Sequence, residues 1–313
     1  MGDTCEGRVA LVTGASRGIG KAIATRLAAE GAAVAVCSRP TPGMEQLGTL
    51  DRAADELRAL GGRVLAVPFD LSDPDRDVST LVDAVEAELG PVDVLVNNAA
   101  AGGYKRFLEW SDRSIAKVIQ VNFWAPWHLV ARVLPGMQQR GRGWIINVSS
   151  ASAKPPTGPP FPPTAPSQLG TIYGGTKAFL DRWTASLAAE VVDDGIAANT
   201  LAPQAAAATE VLVEYSDLPE ELYEPLETMA EAALALATAD PRVLTGRITY
   251  SLELLHELAR PTLDLAGEAP LDDWAPERIP ERLEVMRAHA LGQRPDSGRS
   301  NVADLGRQLS GDA

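Results

Sequence analysis

Short apolar runs rich in β-branched residues alternate along the chain with longer segments whose apolar residues recur at helical spacing. "RVALVTG" precedes "GKAIATRLAAEG", "AAVAVCSR" precedes "TLDRAADELRALGG", "RVLAVPFD" precedes "DVSTLVDAVEAELG", "VDVLVNNA" precedes a long helix, and "GWIINVSS" precedes the helix carrying Tyr173. A sixth run, "IAANTLAP", follows. Strands that are apolar on both faces need cover on both sides, and parallel neighbours need crossover helices. The expected fold is α/β: a doubly wound parallel sheet with helices on both faces, as a single domain over 1–260, plus a C-terminal extension over 261–313.

Gly31, Gly61, Gly90 and Gly195 stand where a left-handed glycine would end each helix. Beyond Pro203 the alternation fades. Residues 209–239 read as one or two acidic amphipathic helices, and "RITYSLELLHELA" as a last strand or helix. The segment 262–290 carries enough apolar side chains, including Trp274, Ile279, Leu283 and Met286, to dock on the body. From Arg294 the chain is polar enough to be a mobile tail.

The net charge of −14 is uneven: residues 204–313 hold 21 of the 42 acidic side chains but 9 of the 28 basic ones. This acidity reads as a solvated helix surface. No basic groove with stacking aromatics accompanies it, so nucleic acid is not an expected partner. Cys5 and Cys37 form neither a disulfide framework nor a metal motif, so no metal is expected and the setting reads as reducing and cytoplasmic. No leader pattern opens the sequence and no run of about 18 apolar residues interrupts it, which argues against export or a membrane. His128, His256 and His289 are accompanied by no Ser/His/Asp set and read as structural or surface residues.

"VALVTGASRGIGKAIA" places Gly14, Gly18 and Gly20 between a strand and a helix. Glycines there let the backbone approach a pyrophosphate, and the helix N-terminus offers it unpaired N–H groups and partial positive charge. In an alternating chain this points to a dinucleotide. An acidic residue ending the second strand would favour NAD, but this chain has Ser38 and Arg39. Arg39, with Arg17 reaching from the glycine turn, can neutralise a 2′-phosphate through permanent charge and planar donors. NADP(H) is therefore expected over NAD(H), with a hydroxyl contact from Ser38.

Tyr173 and Lys177 are four apart on a predicted helix and share a face. A neighbouring ammonium favours phenolate and brings proton exchange toward the working pH range. With Gly-xxx-Gly-x-Gly after Thr13, "NNAA" from Asn97, Val121-Asn122 and "INVSS", all in this order over residues 7 to about 250, the chain resembles the short-chain dehydrogenase/reductase family. Its insertions are similar to those of the hydroxysteroid-dehydrogenase-like and citronellol-dehydrogenase-like subgroup.

The resemblance implies a Rossmann-type fold and hydride transfer between NADP(H) and an alcohol/carbonyl pair. It implies that Tyr173 exchanges the proton, that Ser150 (or Ser149) holds the substrate oxygen, and that Asn122 holds a relay water behind Lys177, which also binds the nicotinamide ribose. Cofactor contacts are implied at Gly14, Ser16, Arg17, Gly18, Ile19, Gly20, Ser38, Arg39, Asp70, Leu71, Asn98, Ala99 and Pro203, besides Tyr173 and Lys177. Members of the family pair through helices matching about 112–140 and 173–193, so a homodimer or homotetramer is expected.

The chain also departs from that pattern. Ser150 and Tyr173 are 23 residues apart, where the family usually shows about a dozen, and seven of the twelve residues from Pro155 to Pro166 are proline. Composition alone would make this a linker, yet both flanks must meet one substrate oxygen. Residues 155–172 are therefore expected to form a semi-rigid lid, with Phe161, Leu169 and Ile172 as its apolar underside. Gln204 replaces the family's glycine after Pro203, and Thr209 lies one position late, which leaves the nicotinamide contacts of 204–240 open. Residues 100–107, the lid and 204–230 would enclose the substrate. Tyr104, Phe107, Leu212 and Tyr215 favour an uncharged, moderately apolar alcohol, ketone or aldehyde, while Lys105 and Arg106 keep a phosphorylated or CoA-linked one open. The alternatives are an NADP(H)-binding sensor or scaffold without turnover, and a reductase of carbon–carbon double bonds, for which Ser150 would be unnecessary.

Overall fold

The computed structural model describes residues 4–40, 42–43, 45–216 and 218–290; the polar tail expected from Arg294 lies outside them. Along the chain the strands are β1 (Val9–Thr13), β2 (Ala33–Ser38), β3 (Val64–Pro68), β4 (Val94–Asn97), β5 (Gly143–Val148), β6 (Ile196–Ala202), β7 (Ala206–Ala207), β8 (Tyr223–Glu224) and β9 (Ile248–Tyr250). The helices are α1 (Gly18–Ala29), α2 (Leu50–Arg58), α3 (Ser79–Glu88), α4 (Asp112–Ile119), α5 (Ala125–Arg140), α6 (Ala165–Leu169), α7 (Thr171–Val191), α8 (Glu210–Tyr215), α9 (Leu226–Thr238), α10 (Ser251–Glu257) and α11 (Ile279–Ala290).

The main sheet has seven parallel strands in the order β3-β2-β1-β4-β5-β6-β9, and β7 pairs with β8 separately. The order reverses between β1 and β4. Their carboxyl ends open the crevice where doubly wound sheets bind ligands. Side chains alternate between two buried layers: Val12, Val36 and Val96 pack with α1, α9 and α10, while Leu11, Leu95 and Ile145 pack with α3, α5 and α7. Burial on both faces is what the unbroken apolar runs require. The seventh strand is only three residues long and runs straight into α10, so "RITYSLELLHELA" contains both elements rather than one.

The second half of 209–239 departs from the amphipathic expectation. In α9 every residue from Thr228 to Ala237 is buried, Glu231 included. A carboxylate in that position must be paired. Glu231 accepts from Arg26 Nε at 2.9 Å and from Arg260 Nε at 2.7 Å, and Arg26 also pairs with Glu30 at 2.7 Å. α9 is therefore a core helix riveted to α1. Farther along, Ile279, Leu283 and Met286 of α11 join the same core layer, so 279–290 packs on the body.

Candidate active site

β1 ends at Thr13, and the chain turns at Gly14 (φ +65°) into α1. Thr13 Oγ1 accepts from the Asn98 and Ala99 N–H groups at 3.1 and 3.0 Å. Asn98 Nδ2 donates to the Thr13 and Gly14 carbonyls at 2.9 and 3.1 Å, strapping the turn to the end of β4. A Cβ on Gly20 would lie 2.3 Å from Asn98 Nδ2 and 2.5 Å from the Gly14 oxygen, so the strap demands glycine there. The Asn98 amide thus shapes the cradle, with its donors spent on backbone.

At the N-terminus of α1 the Gly18 N–H donates to Glu210 Oε2 at 3.0 Å. Glu210 opens α8, and its neighbour Thr209 lies so close that a Cβ on Gly18 would meet Thr209 Cγ2 at 3.1 Å. Negative charge is favoured at this helix end. Beside it, Arg17 Nη1 is buried without a hydrogen-bond partner. Burial lowers the Arg17 pKa, Glu210 opposes that effect, and the nearby Arg39 guanidinium adds to it. Two guanidinium groups in mutual repulsion, one with an orphaned donor, fit a phosphate ester. Ser38 Oγ donates to Ser16 Oγ at 3.2 Å on the same side of the turn. Asp70 accepts from the Ser72 N–H and hydroxyl at 2.9 and 2.7 Å. Ile19 and Leu71 pack into the core layers beneath.

Tyr173 stands in the first turn of α7, with Lys177 buried one turn on. α7 crosses the turn after β5 so closely that a Cβ on Gly174 would lie 2.4 Å from the Ser152 carbonyl oxygen. Lys177 Nζ donates to the Val148 carbonyl at 2.6 Å. Burial brings its pKa down to about 8, and Asp181 one further turn along opposes this. Burial pushes the Tyr173 phenol up, Tyr104 adds to the rise, and hydrogen bonding from Ser150 draws it down. Burial dominates, so the phenol is held in its protonated form, contrary to the lowering expected from Lys177.

Ser150 Oγ accepts from the Ser152 N–H at 3.2 Å and lies 2.9 Å from Ser152 Oγ. Ser149 instead faces the Asp181 carboxyl, which burial raises and the Ser149 and Thr200 hydroxyls draw down. Of the two serines, Ser150 is the one on the Tyr173 side. Asn122 lies in a π-helical turn, Gln120–Trp124, that joins α4 to α5. Its amide donates to the Ala101 carbonyl at 2.8 Å and Thr176 Oγ1 at 3.0 Å, and its oxygen accepts from the Ala101 N–H at 2.8 Å. π turns recur at functional sites. Here the turn aims Asn122 at the strip following β4.

The proline-rich insert stays close to this site. Leu169, at the end of α6, accepts from the Lys105 N–H at 3.2 Å, tying the insert's exit to the same strip. Phe161 does not form an underside: it is 56% exposed and folds onto Gly158, where a Cβ would lie 2.5 Å from its ring.

Residues 8–218 match the family model described as short chain dehydrogenase. The chain belongs to that family. A ketoacyl reductase of Nostoc is 34% identical over 200 residues, spanning 64% of each chain. A short chain dehydrogenase of Pseudocercospora fijiensis is 38% identical over 200 residues, 63% of this chain and 59% of its own length. The chain thus spans less than two thirds of these relatives. A fatty acyl-CoA reductase of Mycobacterium tuberculosis is 30% identical over 259 residues, 80% of this chain and 81% of that one. Among solved structures, a 3-oxoacyl (acyl-carrier-protein) reductase of Agrobacterium tumefaciens with NADP bound matches with a TM-score of 0.66 at 28% identity, over 79% of this chain and 93% of that one. A blue fluorescent protein from a metagenomic library, in complex with NADPH, matches with a TM-score of 0.66 at 29% identity, over 85% and 100%.

In this short-chain dehydrogenase the fold brings Ser150, Tyr173, Lys177 and Asn122 to the ends of β4 and β5, beside the glycine turn. Pro203 follows β6, and the next N–H, that of Gln204, donates to Glu224 at 2.5 Å rather than lying open. Sequence reasoning missed Glu210, Glu224 and Asp181, and placed Tyr104 only in the substrate enclosure. No spacing rule connects them to the motifs they touch. Among the described residues no helix is long and apolar enough to cross a membrane.

Proposed function

We propose that this short-chain dehydrogenase is an oxidoreductase using NADP(H) and the alcohol/carbonyl pair of an apolar small molecule. The observation that carries the reading is the convergence of Tyr173, Ser150 and Lys177 in the crevice that begins at the Gly14–Gly20 turn. The cofactor, when bound, supplies or accepts the hydride at the carbonyl carbon. Arg17 and Arg39 would hold its 2′-phosphate, and solved relatives carrying NADP or NADPH support that choice.

Tyr173 delivers a proton to the developing alkoxide. Its raised pKa keeps that proton available at neutral pH, which suits the reducing direction. Ser150 donates to the same oxygen and orients it. Lys177, cationic below about pH 8, supports the charge and binds ribose hydroxyls. Asn122 fixes the strip around Ala101, so that the water relay expected there would have to pass beside an amide already engaged. The insert at 155–172 acts as a lid through its tie to Lys105.

Relatives named for ketoacyl and fatty acyl-CoA reduction favour a carbonyl on an apolar chain. A homodimer through α5 and α7 accounts for Trp124, Trp127 and Phe179, which are 43%, 46% and 50% exposed on those helices and their junction. The test is a panel of ketones, aldehydes and acyl thioesters followed by NADPH oxidation, with Tyr173→Phe alongside. Turnover that is lost in the variant while NADPH binding stays within about twofold is expected; binding without turnover across the panel would leave a silent NADP(H)-binding protein instead.

A further inference from the structure

A second phenol stands at the reacting centre. Tyr104 lies on the strip after β4, edge-on to Tyr173, with ring centroids 6.0 Å apart and planes at 78°. The strip passes so tightly over the Tyr173 ring that a Cβ on Gly102 (φ +143°) would lie 2.6 Å from Tyr173 Cδ2. Burial raises the Tyr104 pKa, against the pull of hydrogen bonding with Ser152 and Ser150, so the phenol keeps a proton to donate. Its neighbour Tyr173 shares Ser150.

The hydroxyl of Ser150 has one proton and two lone pairs. The Ser152 N–H takes one lone pair at 3.2 Å. If Ser152 Oγ, 2.9 Å away, received the Ser150 proton, none would remain for the substrate. We infer that Tyr104 is a positioning residue: its hydroxyl donates to Ser152 Oγ, so that the Ser152 hydroxyl donates in turn to the remaining lone pair of Ser150 and leaves the Ser150 proton directed at Tyr173 and the substrate oxygen. The inference rests on the oxidoreductase reading for its kinetic consequence, while its hydrogen-bond arrangement is testable in the ligand-free protein.

The experiment compares wild type, Tyr104→Phe, Ser150→Ala and the double variant. Melting temperature and NADPH dissociation constant are measured first, to establish that each variant folds and loads. Tyr104→Phe is expected to lower kcat roughly tenfold, with little change in NADPH affinity, and to add nothing in the Ser150→Ala background, because both changes remove one device. In ligand-free protein, the losses of unfolding free energy caused by Tyr104→Phe and Ser150→Ala are expected to be less than additive in the double variant, as one shared hydrogen-bond arrangement requires. Additive kinetic losses, or additive losses of stability, overturn the inference. A set of variants whose stabilities couple as expected while the wild type reduces no carbonyl compound defeats the oxidoreductase reading and leaves the hydroxyl arrangement standing.

Discussion

The Glu210 carboxylate receives the Gly18 N–H at 3.0 Å, and so sits at the helix end where a pyrophosphate would be held. Bringing phosphate to the same N-terminus sets like charges against each other. At about 4 Å in water that repulsion is about 1 kcal/mol, or roughly fivefold in affinity. Glu210→Gln is therefore expected to bind NADPH about fivefold more tightly, with the gap closing as salt screens it. Dissociation constants at two ionic strengths check this, and equal affinities at low salt would mean that α8 swings clear without cost.

Arg39 and Arg17 repel each other across the place where a 2′-phosphate would bridge them. Arg39→Asp removes one cation and adds an acceptor suited to free ribose hydroxyls. NADPH affinity should drop by at least about tenfold and NADH affinity should rise, reversing the order of preference. Paired titrations of both nucleotides at equal salt are the measurement; an unchanged ratio would remove Arg39 from cofactor selection.

Glu224 is fully buried and accepts from the Gln204 N–H, Thr228 Oγ1 and Ser251 Oγ, each at 2.5 Å. Burial pushes its pKa from 4.5 up to about 7. Between those values the folded protein holds a proton that the unfolded chain has lost. This stabilisation is complete below pH 4.5 and disappears as pH rises through about 7. Melting temperature should fall less between about pH 5 and about pH 8 in Glu224→Gln than in wild type. Parallel slopes in thermal scans would show that Glu224 titrates alike in both states.

Glu231 is 2% exposed and bridges Arg26 of α1 to Arg260. Removing it leaves Arg26 with Glu30 alone and Arg260 without its carboxylate, at a cost of up to about 3–5 kcal/mol. Glu231→Ala should lower stability by about that amount in denaturant titrations. A loss below about 1 kcal/mol would mean that water reaches the arginines.

Local patterns carried the architecture. Two-sided apolar runs, helical spacing and glycine stops depend on residues a few positions apart, and they led to six of the seven strands of the main sheet. The glycine turn and the one-turn spacing of Tyr173 and Lys177 were legible for the same reason: each follows from the geometry of a single turn or helix. Tertiary structure decided the rest. It set a three-residue strand, β9, against β6, buried α9 despite its glutamates, and placed Glu210 on Gly18 across 192 positions of sequence. It also chose Ser150 over Ser149 for the Tyr173 side and brought Tyr104 to both. These relationships join segments through packing and buried hydrogen bonds, whose partners are selected by the closed shape of the whole chain rather than by spacing along it.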